Sequence, residues 1–233
     1  MRLILILHNI AMVAADTTRT ISYLEHLIKY NLIPSYILLL LNKNNKLLPG
    51  QKNSANENEI IILLEDSGIQ YEIASNTDIN NDEVIRIIAN REEKVFIYSG
   101  YGGVLLKDKI IESGKKFLHM HGGFLPDFKG STANYYSLIM DNTIGASAIF
   151  INKEIDCGPI LCRRKFSPPK KRTEIDHSSD SEVRAKILIE CLMNYVNSGT
   201  WGYELKNNLG GETFYIIHPV LKHLAILGKR ALR

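Results

Sequence analysis

Two histidines one residue apart, His119 and His121, end an apolar run, Phe117-Leu118-His119-Met120-His121, and Gly122-Gly123-Phe124-Leu125-Pro126 follows. Side chains two apart in a strand face the same side, so both imidazoles should point into one space above the strand's end. About thirty-five residues later a second apolar run closes in Ile155-Asp156-Cys157-Gly158. Two imidazoles and a carboxylate at strand ends admit three readings. In acyl transfer, histidine donates to a tetrahedral oxyanion while the carboxylate raises its basicity and shares in proton transfer. In metal binding, two histidines and a carboxylate form a facial triad with open positions. In a structural reading they are satisfied core histidines and a turn aspartate.

A second cluster lies upstream, in Ser99-Gly100-Tyr101-Gly102-Gly103. Such a turn has the backbone N–H groups to cradle a phosphate, or to hydrogen-bond a flat heterocycle. Tyr101 favours the ring, because an aromatic beside exposed backbone suits a planar ligand. No GxSxG elbow, P-loop or HExxH helix occurs in the chain.

The elements that must position these residues alternate between strand and helix. Leu3 to Leu7 is an aliphatic run predicted as a first strand covered on both faces, with His8-Asn9 in the loop after it. Thr18 to Lys29 carries Ile21, Leu24, Leu27 and Ile28 at helical spacing. Tyr36 to Leu41 is a second strand, and the Asn- and Lys-rich stretch from Asn42 to Asn58 an exposed loop. A helix from Glu59, a strand from Tyr71, a helix flanked by Asp78 and Asp82 and a strand over Lys94 to Tyr98 complete the first half. Alternation of this kind predicts an α/β, Rossmann-like fold: a mostly parallel sheet with helices on both faces and ligands at the carboxyl ends of the strands. Further on, a helix over Ala133 to Met140, strands over Ala146 to Ile151 and Ile160 to Lys165 and a helix over Glu182 to Val196 are expected, with Ser167 to Ser181 as a surface loop. The predicted organisation is a catalytic domain over residues 1–198 and a C-terminal extension over 199–233. That tail holds Trp201, Tyr203, Phe214 and Tyr215, and is expected to fold back on the core or serve a homodimer interface.

The composition, 45% hydrophobic and 23% charged, suits a globular core, and a net charge of +3 is too small to argue for nucleic acid or membrane as partner. Three cysteines, Cys157, Cys162 and Cys191, lack CxxC spacing, which points to a reducing cytoplasm and away from structural zinc. His8 and Asn9 interrupt the apolar N-terminus, so a strand is read there and not a signal peptide.

With these motifs in order, the chain resembles the folate-dependent formyltransferases: glycinamide ribonucleotide, methionyl-tRNA and sugar N-formyltransferases. That family carries Asn-x-His-Pro-Ser-Leu-Leu-Pro followed by an aromatic, a basic residue and glycine. Here His119-Met120-His121-Gly122-Gly123-Phe124-Leu125-Pro126 precedes Phe128-Lys129-Gly130. Gly145 to Leu161 matches the family's strand ending in Asp-x-Gly, and Tyr101-Gly102-Gly103-Val104-Leu105 resembles its Tyr-Gly-x-Ile-Leu.

The resemblance implies His121 and Asp156 as catalytic residues, with His119 where the family has asparagine. A histidine also donates to an oxyanion, but according to tautomer and protonation. Loss of one such donor costs about 10²–10³ in rate. His119 therefore replaces the amide as donor or marks a slow or repurposed enzyme. Gly122-Gly123 in place of Pro-Ser is expected to loosen the loop and enlarge the acceptor pocket. The resemblance further implies N10-formyltetrahydrofolate as donor, held by Gly100, Tyr101, Gly102, Gly103, Val104 and Leu105 and by Lys153, Glu154 and Ile155. Acceptor contacts are expected from His8, Asn9, Gly123, Lys129 and Thr132, and no metal is required. His8-Asn9-Ile10-Ala11 is not the Gly-rich loop of the glycinamide ribonucleotide enzymes, and the tail is not the basic barrel of the methionyl-tRNA enzymes. By elimination the expected acceptor is a nucleotide-linked amino sugar (dTDP- or UDP-linked) of lipopolysaccharide or other surface polysaccharide biosynthesis. A formyltetrahydrofolate hydrolase and a folate- or nucleotide-binding protein without turnover are the alternatives.

Overall fold

In the computed structural model, which describes residues 5–41, 55–202 and 208–228, the chain divides into a unit of Met1–Leu118 and a unit of His119–Arg233. The first contains β1 (Leu5–Leu7), β2 (Ile10–Ala15), α1 (Thr18–Tyr30), β3 (Leu32–Pro34), β4 (Ile37–Leu40), α2 (Ala55–Asp66), β5 (Tyr71–Ile73), α3 (Asp82–Asn90), β6 (Val95–Ser99) and α4 (Asp108–Ile111). Strands β6, β2, β4 and β5 lie side by side in that order, all parallel. The class is α/β with a mostly parallel sheet, as predicted.

The strand at the heart of this sheet is not the expected one. Ile10–Ala15 is buried throughout, whereas Leu5–Leu7 pairs with β3 in a separate two-stranded ladder and leaves Leu5 and Ile6 exposed. Ala11, Ala14 and Ala15 give β2 little apolar bulk, but small side chains suit a strand flanked by β4 and β6. His8 and Asn9 consequently form the turn into β2, at the amino ends of the parallel strands, where Asn9 accepts the Lys94 and Val95 N–H groups. The expectation that they contact the acceptor is corrected on this ground, because such sheets bind ligands at their carboxyl ends.

Helix α1 follows the predicted pattern. The Thr17 hydroxyl caps its first turn by accepting the Thr20 N–H at 3.2 Å, Ile21, Leu24 and Leu27 are buried, and Asn31 stops it in the left-handed region. Residues 42–54 of the predicted loop lie outside the described residues, and α2 begins before Glu59.

The division between the units falls within β7 (Lys116–His121). The second unit continues with β8 (Phe128–Gly130), α5 (Ala133–Met140), β9 (Ile144–Phe150), β10 (Ile160–Phe166), α6 (Asp180–Ser198), β11 (Glu212–Phe214) and α7 (Pro219–Leu227). The order is β10-β9-β7, with β9 and β10 antiparallel and α6 packed on both. Part of the expected Ser167–Ser181 loop is instead a 3₁₀ turn and a π-helical turn over Arg172–Ser179, anchored by buried Ile175 and running into α6. The tail folds back on this unit. Strand β11 pairs in parallel with β8, and the Phe214 ring stacks on Tyr136 at 4.4 Å and Phe128 at 5.6 Å. Tyr203 is outside the described residues. Among the described residues no helix is long and apolar enough to cross a membrane.

Candidate active site

Period-two geometry places His119 and His121 on one side of β7, and ligand atoms of His119, His121 and Asp156 lie within 4.8 Å of one another. All three belong to the second unit. His121 is almost fully buried and His119 half-buried. The His121 Nε2–H donates to the Phe128 carbonyl at 2.7 Å, and its Nδ1 faces Asp156 Oδ1 at 3.3 Å. A carbonyl oxygen only accepts, so Nε2 carries the proton and the ring orientation is set.

Gly122 and Gly123 are buried, and the loop they begin is tight. A Cβ on Gly123 would lie 2.5 Å from the Phe128 carbonyl and 2.6 Å from His121 Nε2, and one on Gly122 would meet Arg184 and Asp180. The expected enlargement of an acceptor pocket is therefore corrected: the space freed by the missing side chains holds protein groups. Ser147 pins the same loop, donating to the Gly123 carbonyl and accepting the Leu125 N–H.

Asp156 occupies the loop between β9 and β10 with φ of 55°, a left-handed conformation that aspartate tolerates better than most residues. Gly158 closes the turn because a Cβ there would fall 1.7 Å from the Phe150 carbonyl. Asp156 Oδ2 accepts the Gly130 N–H at 2.8 Å. Burial alone would raise the Asp156 pKa, but the His121 hydrogen bond and charge, the Gly130 N–H and His119 outweigh it and hold the carboxyl well below its ordinary range. A hydrogen-bonded imidazole beside an ionised carboxylate is suited to receiving and holding a proton.

The remaining predicted residues sort by surroundings. Lys129 is buried, its ammonium donating to the Asn208 carbonyl at 3.1 Å and lying 3.4 Å from Cys157 Sγ, so it is committed to the protein and not exposed to an acceptor as expected. The Thr132 hydroxyl accepts the Ile217 N–H from the tail at 2.9 Å. Lys153, Glu154 and Ile155 form an exposed loop ahead of Asp156. Within the first unit, Gly100–Leu105 extends from the carboxyl end of β6, where the Tyr101 hydroxyl reaches Asp16 and the Leu40 carbonyl. Burial and then Asp16 push the Tyr101 pKa up, keeping the phenol neutral. Arg19 donates to Ser99 Oγ and the Gly100 carbonyl, and Val104 and Leu105 are exposed beyond it.

Several supporting residues gave little signal in the sequence. Asn208 Nδ2 donates to the carbonyls of Asp156 and Gly158 at 2.6 and 2.8 Å, clamping the Asp-x-Gly turn from the tail. Arg184 on α6 donates to the Met120 carbonyl and to Asp180. Asn134 bridges the Gly145 N–H and Asp180. A pocket of about 190 Å³ in this unit is lined by Gly122, Gly130, Thr132, Asn134, Asp180 and Arg184, among others.

Comparisons with known proteins agree with the motifs. A family model described as formyl transferase matches residues 8–185. Formyltetrahydrofolate deformylase 1, mitochondrial, of Arabidopsis thaliana is 27% identical over 147 residues, covering 60% of this chain and 44% of that protein. Methionyl-tRNA formyltransferase of Desulfotalea psychrophila is 22% identical over 113 residues, covering 48% and 34%. The chain thus spans less than half the length of these relatives. A sugar N-formyltransferase structure from a Shewanella species superposes with a TM-score of 0.59 at 14% identity, covering 94% of this chain and 86% of that one, a likeness of fold.

Proposed function

Starting from a chain that belongs to the formyl transferase family, we propose that it moves a formyl group from N10-formyltetrahydrofolate to the amine of a nucleotide-linked amino sugar. The observation that carries this reading is the convergence of His119, His121 and Asp156 within 4.8 Å at the family's motif positions. The unprotonated amine attacks the formyl carbon, the tetrahedral intermediate collapses, and the N10–formyl bond breaks to leave tetrahydrofolate. His119, the more exposed imidazole, donates to the oxyanion, because both nitrogens of His121 already face protein groups. His121 contributes through its pairing with Asp156; this pair takes one proton from the attacking amine and passes it to N10 as the N10–formyl bond breaks. Within the first unit, Gly100–Leu105 offers backbone groups suited to a flat heterocycle such as a pterin, with Tyr101 held in place by Asp16. The 190 Å³ pocket is below the roughly 300–1,000 Å³ of sites that enclose a drug-sized ligand. A cytoplasmic location and a homodimer formed through the tail belong to the same reading.

The test is a panel of nucleotide amino sugars incubated with N10-formyltetrahydrofolate and read by mass spectrometry. One product heavier by a single formyl group is expected, and no such product from any amine would overturn the proposal. The deformylase relative favours a second reading, hydrolysis of the donor. Formate released without any amine, at a rate no amine increases, is the result that selects it.

A further inference from the structure

We propose that His119, His121 and Asp156 form a binding site for one divalent transition-metal ion, zinc above all, created by the histidine that stands where the resembling family has asparagine. An amide oxygen is a poor zinc ligand, whereas two imidazoles and a carboxylate are a set that zinc accepts, with a fourth position left for water. The geometry is close to what the ion needs. Bonds of about 2.0–2.1 Å to a tetrahedral zinc place neighbouring ligand atoms about 3.3–3.4 Å apart, and His121 Nδ1 lies 3.3 Å from Asp156 Oδ1. The third donor is within 4.8 Å, so a shift of about 1–1.5 Å in the half-buried His119 ring closes the set.

The outer shell is in place as well. Metal-bound histidines donate their second nitrogen to a carbonyl or carboxylate, which fixes the tautomer. His121 does this with its Nε2–H on the Phe128 carbonyl, so that Nδ1 is the nitrogen turned toward Asp156 and, once its proton is released, toward an ion. The space between that nitrogen and the carboxylate oxygen takes either a proton, as in the hydrogen-bonded pair described above, or a metal ion that displaces it. Asp156 is oriented by the Gly130 N–H on its other oxygen and by the backbone clamp of Asn208. Both groups are largely removed from solvent, with side chains 5% and 12% exposed. Among the described residues this is the one group of three or more histidine, cysteine or carboxylate ligands so arranged.

An ion held there takes the Nδ1 and carboxylate oxygen on which the proposed proton transfer depends. Zinc is therefore an inhibitor of formyl transfer, reversed by chelation. The experiment uses the full chain stripped with a chelator, without folate or acceptor. Zn²⁺ affinity is measured by competition with a chromophoric chelator, and Co²⁺ serves as a spectroscopic probe. One Zn²⁺ per chain and a Co²⁺ d–d spectrum with imidazole ligands are expected. His119→Asn and Asp156→Asn should each weaken binding by about 10²-fold or more, while His8→Gln and His223→Gln, at exposed histidines, leave it unchanged. Circular dichroism checks that each variant folds, and either site variant alone decides the matter. Absence of saturable binding, or affinity that survives the site variants and falls with His8 or His223, overturns the proposal. Because binding is read without substrates, an inactive enzyme that binds zinc refutes formyl transfer alone, and an active one that does not refutes the metal site alone.

Discussion

Glu93 in the first unit and Asp156 in the second are both carboxylates held against burial, and their partners differ. The Arg91 guanidinium meets both oxygens of Glu93 at 2.8 and 3.0 Å, the Ser35 hydroxyl adds a third bond at 2.7 Å, and the Tyr36 ring supports Arg91 from 3.9 Å. Arginine stays charged at any ordinary pH, so this carboxylate is saturated with permanent donors and has no chemistry left. Asp156 has one backbone N–H and two imidazoles, groups whose protons come and go. A carboxylate paired with a fixed cation is a fastener, whereas one paired with a titratable ring has the makings of a proton store. The largest expected effect tests that distinction. Asp156→Asn should lower formyl transfer by about 10²–10⁴, the range associated with loss of an acid–base group. Glu93→Gln should leave turnover per folded molecule unchanged. Equal losses in both variants would erase the contrast.

Stability should respond the other way. Glu93→Gln leaves Arg91 and Ser35 facing a neutral amide at a site where Glu93 itself is 4% exposed. We expect a cost of about 1–3 kcal/mol in urea unfolding, toward the lower end because the Arg91 side chain is 37% exposed. A change within about 0.3 kcal/mol would show that the saturated pair is ornamental.

Acid separates the two designs next. Burial works to raise the Glu93 pKa, but Arg91, Ser35 and its own backbone N–H bring it down from 4.5 to about 2. The unfolded chain therefore takes up this proton first, and acid favours unfolding. The Glu93 contribution is complete above about pH 4.5 and is lost as pH falls toward 2. After screening at the exposed Arg91 it should amount to about 1–2 kcal/mol. Urea midpoints across that window should fall less steeply in Glu93→Gln than in the parent chain, and parallel slopes would refute the assignment.

The sequence distinguishes these two sites unevenly. His119 and His121 share a face because a strand has period two, and α1 announces itself by the helical spacing of Ile21, Leu24, Leu27 and Ile28. Glu93, by contrast, sits in Arg91-Glu92-Glu93-Lys94, where nothing local separates the buried carboxylate from its neighbour. The central strand is hidden in the sequence for a related reason. Leu3–Leu7 has more aliphatic mass than Ile10–Ala15, but position in a sheet depends on what covers a strand, and small side chains serve where neighbours crowd from both sides. His8 and Asn9 move with it, from the carboxyl end of a first strand to the turn before β2. Gly122-Gly123 looks like a loosened loop until Arg184 and the Phe128 carbonyl, distant or turned back in the chain, are seen against it. Long-range contacts of that kind leave no periodic trace.

The smallest effect concerns the backbone beneath each carboxylate. Both segments are tied by a side chain from elsewhere in the same unit. Lys115 donates to the Glu93 carbonyl at 2.9 Å, and Asn208 donates to those of Asp156 and Gly158. In Asn208→Ala two carbonyls lose their donor, for about 1 kcal/mol of stability. The Asp-x-Gly turn loses its clamp from the tail, and the carboxylate is held on His121 less firmly, by the left-handed turn and the Gly130 N–H. Formyl transfer should then fall by roughly tenfold, through kcat and not KM, since a positioning residue acts on the geometry of the pair and not on substrate binding. Lys115→Met should cost similar stability with no effect on kcat. If the Asn208 variant lost stability alone, the tail would be a brace for the second unit and nothing more; if kcat fell, the extension belongs to the working site.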